Sequence, residues 1–175
     1  MKILIAEDEV GIAETYLVIL EARGHDVTAT SDGAECLKVY KDTIAALDDD
    51  SEEYLSRNPP FDVVVLDYRM PKMDGMDVAK LILKANKHQR IIFASAYTES
   101  TLQESVKHLH AVVELLQKPF ELEVMVDIIE DKNVNKELEK INENVKAMNE
   151  PDSIEQLREL LQGLKKLNSK TPLVR

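Results

Sequence analysis

The sequence is poor in the features that anchor a chain by special means. It has one cysteine, Cys36, so no internal disulfide can form, and a reducing compartment is expected. Basic residues are in deficit: 22 Lys and Arg stand against 33 Asp and Glu, a net charge of −11. That balance argues against a duplex-wide nucleic-acid surface, because phosphate binding rests on Lys and Arg. No segment approaches the roughly 18 apolar residues that a membrane-spanning helix needs. Near the amino terminus only Ile3 to Ala6 form an apolar run before Glu7, Asp8 and Glu9, too short for a signal peptide. A soluble, cytoplasmic protein without membrane insertion is expected. The histidines His25, His88, His108 and His110 have no spacing that fits a metal or a phospho-histidine, and all four are assigned to the surface.

What is present is enough for a core. Apolar residues make up 44% of the 175 and charged residues 31%, which fits one domain or one domain with an appendage. The charge divides unevenly. Residues 132–175 carry 9 Lys and Arg against 7 Asp and Glu, which leaves 13 against 26 in residues 1–131. An acidic globular domain at 1–131 and a mildly basic extension at 132–175 are therefore expected.

The first 131 residues alternate two periods. Short apolar runs at KILIA (2–6), DVTAT (26–30), DVVVLD (62–67), RIIFAS (90–95) and VVELLQ (112–117) read as strands, the most β-branched of them buried on both faces. Between them, Val10, Ala13, Leu17 and Leu20 share a helical face, as do Leu102, Val106 and Leu109, and later Leu122, Val126 and Ile129. Gly24 can close the first helix, and Ser31 or Asp32 can cap the second. Cys36 lies on a helical face and reads as a small buried apolar residue. Such alternation predicts an α/β fold with a mostly parallel sheet and helices on both faces.

Residues 42–60 depart from this economy. They are acidic and polar and end in Pro59–Pro60; the second helix is expected to run to about Leu47, followed by an exposed acidic insertion. After Asp131 the pattern turns helical. Val134, Leu138, Ile141, Val145 and Met148 form a heptad seam in a helix of about 132–148. Asp152 or Ser153 then caps a second helix of about 153–167, with Ile154, Leu157, Leu161 and Leu164 on one side. These stripes must pack on each other, on the first domain or on another chain.

The polar residues that stand out sit where the predicted strands end: Glu7 and Asp8 after the first, Asp67 at the third, Ser95 at the fourth, Lys118 after the fifth. In an open parallel sheet those ends form the ligand crevice. Three carboxylates brought together cannot all stay ionised without a compensating cation. All-oxygen ligands suit Mg²⁺ rather than zinc. A carboxylate beside Mg²⁺ and an ammonium is a competent nucleophile toward a phosphoryl group.

Residues 1–131 resemble a response-regulator receiver domain of two-component signalling. The resemblance is carried by IAEDE (5–9), VVVLDYRMPKMDG (63–75), FASA (93–96) and QKPF (117–120). It implies a flavodoxin-like, doubly wound sheet of five parallel strands in order 2-1-3-4-5, followed here by C-terminal helices. It also implies that Asp67 accepts a phosphoryl group. Glu7, Asp8, Asp67 and the backbone carbonyl of Arg69 would hold Mg²⁺ or Mn²⁺, Ser95 would be the switch hydroxyl, and Lys118 would pair with the phosphoryl group through a cis Lys118–Pro119 bond. The implied partners are a sensor histidine kinase or a phosphotransfer protein.

Two positions depart from the family pattern. Leu115 stands where an aromatic switch residue is common, with Tyr97 nearby as a candidate substitute, and His110–Ala111–Val112 replaces the usual small step before the last strand. Arg69 and Tyr97 occupy the positions that tune dephosphorylation, and their bulk favours a slowly hydrolysing form. The competing reading is a phosphatase-type enzyme working through an aspartyl-phosphate, as in haloacid-dehalogenase-like proteins. Those need a second carboxylate two residues after the nucleophile, and Arg69 stands there. A signalling domain, not a turnover enzyme, is the expectation. Its output would be protein–protein contact or a homodimer through the C-terminal helices, without direct nucleic-acid binding, or else relay of the phosphoryl group to a histidine phosphotransfer protein.

Overall fold

The five apolar runs become five strands: β1 (Lys2–Ala6), β2 (Asp26–Thr30), β3 (Val63–Asp67), β4 (Ile91–Ser95) and β5 (Glu114–Gln117). The structure, a computed structural model, describes residues 1–96, 109 and 113–131. Five helices are described: α1 (Val10–Ala22), α2 (Gly33–Ala45), α3 (Glu52–Arg57), α4 (Gly75–Ala85) and α5 (Leu122–Glu130). The strands pair in parallel in the order β2-β1-β3-β4-β5, the flavodoxin-like arrangement. β3 is buried over its first four residues and β4 over all five. Only apolar, β-branched runs suit strands covered on both faces.

Strand alternation sorts the core into two layers. Leu4, Val64, Leu66, Ile91 and Phe93 face α2 and α4, where Tyr40, Val78 and Ile82 meet them. Ile3, Ile5, Val63, Val65 and Ile92 face α1 and α5, against Tyr16, Leu20, Met125, Val126 and Ile129. β1 is flanked by β2 on one side and β3 on the other, so the chain reverses its winding there and opens a crevice at the carboxyl ends of β1 and β3. Gly24, with φ of 80°, closes α1, and Asp32 caps α2 by accepting from the Glu35 amide at 2.8 Å.

The structure corrects four expectations. Ile12, Tyr16, Ile19 and Leu20 of α1 pack on the sheet, whereas Val10 is 66% exposed. α1 is apolar on nearly every side, so two stripes overlap in its sequence; the buried one carries Tyr16, whose ring stacks on Phe120 at 6.0 Å. α2 ends at Ala45 rather than near Leu47. The acidic segment after it is not all exposed loop. It contains α3, capped by Ser51 and anchored by Leu55, which is buried. A hydroxyl at the cap and Glu52 and Glu53 in the first turn favour a helix start. His25 is no surface residue: its side chain is 8% exposed and its Nε2 lies 3.1 Å from Glu130 Oε1.

His88 is half-buried and Cys36 fully buried. Burial pushes the Cys36 thiol up to about 12, so it is an inert core residue. Of the Leu102, Val106 and Leu109 stripe only Leu109 is described, and it is buried. Val112, His108, His110, Tyr97 and the two helices expected in residues 132–175 lie outside the described residues. Among the described residues no helix is long and apolar enough to cross a membrane.

Arg90, at the entry to β4, is a buried charge. Its guanidinium donates to both Glu114 carboxylate oxygens at 2.8 and 3.1 Å and to the carbonyls of Ile129 and Ile128 at 2.7 and 2.5 Å. The last turn of α5 is thereby tied to the start of β4 and β5, and carbonyls that a helix end leaves unpaired find a donor. Removing one partner of such a pair strands a buried charge. Arg90→Met should therefore cost about 3–5 kcal/mol in urea unfolding, and adding Glu114→Met should recover part of it. Equal losses in the single and double variants would contradict this account.

Candidate functional site

The strands deliver the polar residues to one edge because their ends are flush. Ala6 pairs with Leu66, Asp67 with Ala94, and Ser95 with Gln117. Glu7 and Asp8 directly follow β1, Asp67 ends β3, Ser95 ends β4, and Lys118 directly follows β5. The Glu7 amide donates to Thr30 at 3.1 Å and the Lys118 amide to Ser95 at 2.7 Å, so backbone bonds hold both residues as they leave the sheet.

Glu7, Asp8 and Asp67 each present a carboxylate oxygen, all within 4.8 Å of one another. Glu7 is buried, Asp67 half-buried and Asp8 exposed. The Lys118 ammonium bridges two of them, 2.6 Å from Glu7 Oε2 and 2.8 Å from Asp67 Oδ2. The Arg69 amide donates to Asp67 Oδ1 at 3.1 Å. Asp67 is thus held at both oxygens before any ligand arrives.

The electrostatics follow from burial and pairing. Burial would lower the Lys118 ammonium, but its bonds to Asp67 and then Glu7 outweigh that and hold it protonated well above its ordinary range. The Glu7 carboxyl is raised. Burial lifts it most, the Lys118 ammonium pulls it back, and the charge on Asp67 adds a smaller push upward. Glu7 Oε1 is buried with no hydrogen-bond partner among the described residues. An orphaned carboxylate oxygen beside two more carboxylates fits a hard cation. The donor set is all oxygen, as Mg²⁺ or Mn²⁺ prefers, and Asp8 leaves it open to solvent.

The remaining expected site residues fall around this cluster. Ser95 is buried at the end of β4. Leu115 lies in β5 and packs on the layer shared with α2 and α4. Arg69 is exposed beside an open cleft of about 550 Å³ that Tyr68, Met70 and Lys72 also line. The Lys118–Pro119 bond is cis, and Tyr97 lies outside the described residues. Gly75 is explained by space: a Cβ there would stand 2.0 Å from the Asp67 carbonyl oxygen. Asp74 caps α4 by accepting from the Asp77 amide at 2.8 Å. One pair at this edge has no signature in the sequence. Lys72 Nζ reaches Asp32 Oδ2 at 2.5 Å across 40 residues of chain, and no local pattern links the two.

Comparison with known proteins gives a consistent picture. A family model described as the response regulator receiver domain matches residues 3–130. The chain is 32% identical over 127 residues to "Response regulator RR06" of Streptococcus pneumoniae, covering 72% of this chain and 50% of that protein. It therefore spans about half the length of such regulators. It is 25% identical over 128 residues to "Sporulation initiation phosphotransferase F" of Bacillus subtilis, covering 73% of this chain and 90% of that protein. Among solved structures, a CheX–CheY–BeF₃–Mg²⁺ complex from Borrelia burgdorferi includes a chain that matches with a TM-score of 0.58 at 26% identity, over 73% of this chain and 84% of that one.

The raised Glu7 carboxyl sets a pH dependence. The folded protein keeps a proton that the unfolded chain loses near 4.5, so this group's contribution to stability falls as pH rises from 4.5 through the raised value. With metal removed by EDTA, the unfolding free energy of Glu7→Gln minus that of the wild type should grow over that range in urea titrations. A difference that is flat or shrinks with pH would refute the assignment.

Proposed function

The chain belongs to the family of response regulator receiver domains, and on that premise we propose that Asp67 accepts a phosphoryl group from a phosphorylated histidine in a Mg²⁺-dependent reaction. The observation that carries the proposal is the Lys118 ammonium 2.8 Å from Asp67 Oδ2 within a cluster of three carboxylates.

An Asp67 oxygen attacks phosphorus. The new P–O bond forms as the donor's P–N bond breaks, and the leaving imidazole takes up a proton. Glu7, Asp8, Asp67 and the Arg69 carbonyl would hold Mg²⁺, which supplies positive charge to the phosphoryl oxygens. Lys118 adds a second fixed charge beside Asp67 Oδ2, and its bonds to Asp67 and Glu7 keep it charged at neutral pH. The Ser95 hydroxyl, at the end of the strand beside Asp67, donates to a phosphoryl oxygen once the acyl phosphate has formed. Such stabilisation depends on groups positioned in advance. Arg69 stands two residues after Asp67, where a phosphatase-type enzyme would need a general acid, so the chain acts as a switch rather than a turnover enzyme, and the bulk of Arg69 and Tyr97 favours slow hydrolysis.

The donor is a sensor histidine kinase or a phosphotransfer protein. A relay role, handing the group on to a histidine phosphotransfer protein, is the second reading. It is favoured by the match to a sporulation phosphotransferase over 90% of that protein. Output runs through protein contact or through pairing of the Val134–Met148 seam in residues 132–175, which lie outside the described residues. A cytoplasmic location fits both readings.

Incubation with a small phosphodonor and Mg²⁺ should add one phosphoryl mass to the wild type, with EDTA abolishing the gain and Asp67→Asn showing none. Labelling that persists in Asp67→Asn would sink the proposal. If the C-terminal seam pairs between chains, Leu138→Glu with Ile141→Glu should leave a folded monomer by light scattering; an unaltered dimer mass would rule the seam out.

A further inference from the structure

The β3–α4 connection carries a strained turn with no counterpart elsewhere among the described residues. Lys72 is the one non-glycine residue there with positive φ, 64°. It is the centre of a three-residue turn closed by the Met73 amide donating to Pro71 at 2.7 Å. For a residue with a Cβ that conformation is costly, and lysine has no special aptitude for it. The ends of the connection are fixed: the Gly75 amide donates to the Tyr68 carbonyl at 3.0 Å, and Gly75 abuts the Asp67 backbone. Lys72 stands at the apex, three residues from Arg69, and both line the same cleft.

Two contacts from the start of α2 hold that apex. Asp32 is buried and divides its carboxylate: Oδ1 accepts from the Glu35 amide at 2.8 Å, and Oδ2 takes the Lys72 ammonium at 2.5 Å. Next to it, Gly33 lies so close to the connection that a Cβ would stand 2.1 Å from the Met73 carbonyl oxygen. A helix cap alone needs one oxygen, and asparagine would serve as well. The second oxygen has a different task.

We propose that Asp32 and Lys72 are positioning residues for the metal site: their ion pair holds the Lys72 turn in its left-handed form, and the turn sets the direction of the Arg69 carbonyl. The inference rests on the Mg²⁺ reading above. Without the pair, Lys72 relaxes toward negative φ, the connection re-forms, and the carbonyl three residues upstream turns away from Glu7, Asp8 and Asp67. The pair touches neither metal nor phosphoryl group and acts only through backbone.

Glycine makes the idea testable, because it accepts positive φ without strain. Lys72→Ala and Lys72→Gly lose the same charge, yet only alanine leaves the turn strained and unheld. Mg²⁺ binding to the full chain, measured by calorimetry, should weaken about tenfold in Lys72→Ala, as when a group behind a metal ligand is removed, and recover most of that loss in Lys72→Gly. Asp32→Asn keeps the cap and should weaken binding comparably in the wild type but add nothing in the Lys72→Gly background. Alanine and glycine variants with equal affinity would overturn the proposal, as would an Asp32→Asn effect of the same size in both backgrounds. If Lys72→Ala fails to fold, the two Asp32→Asn measurements decide alone. A wild type that binds no Mg²⁺ at all overturns this inference and the metal reading together; one that binds, with unaffected variants, overturns only the inference.

Discussion

The site depends on one ammonium group set among carboxylates that could not otherwise lie so close. Lys118 lies 2.6 Å from Glu7 and 2.8 Å from Asp67, and it arrives from the far side of the sheet order, two strands from β3. Like charges at such separations raise one another's pKa and push their strands apart. With Lys118 between them, its positive charge offsets both carboxylates at the ends of two apolar strands. The flush ends of β1, β3 and β5 are thus a geometric condition for the charge balance.

Much of this architecture could be read before any coordinates. Strands such as VVVLD and IIFAS are buried on both faces and are apolar for that reason, so local composition suffices to find them. Glu7, Asp8, Asp67 and Lys118 stand out because charges rarely adjoin such runs. What could not be read falls into two physical classes. α1 is apolar around most of its circumference, so periodicity found Leu20 but placed Val10, which is 66% exposed, in the stripe and missed Tyr16, whose ring stacks on Phe120. The pairs Arg90–Glu114, His25–Glu130 and Asp32–Lys72 join residues 24, 105 and 40 positions apart. Tertiary packing alone brings them together, and no spacing rule anticipates it. α3 is a milder case: its cap and acidic first turn were legible, but the anchoring Leu55 was one apolar residue in a polar stretch.

The two ends of the sheet have different chemistry. At the carboxyl ends, charged groups are partly open to solvent and arranged around Asp67. At the amino ends, Arg90 and Glu114 are buried and fully engaged with each other and with α5. At the carboxyl ends Glu7 Oε1 keeps hydrogen-bonding capacity that no described residue uses, whereas at the amino ends the Arg90–Glu114 pair is bonded on both sides. A parallel sheet separates these conditions by the full length of its strands, about 15 Å for five residues.

That separation bears on the acidic segment between α2 and β3. It enters the sheet at Val63, the amino end of β3, while Asp67 closes the opposite end. α3 is anchored there by buried Leu55, whose carbonyl accepts from the Asn86 side-chain amide, and by surface pairs such as Glu52 with Lys87. Asp48 and Asp50, exposed and outside the α3 cap, offer points of attachment: a fluorophore, an epitope or a tether placed there would report on the protein from the end of β3 opposite Asp67.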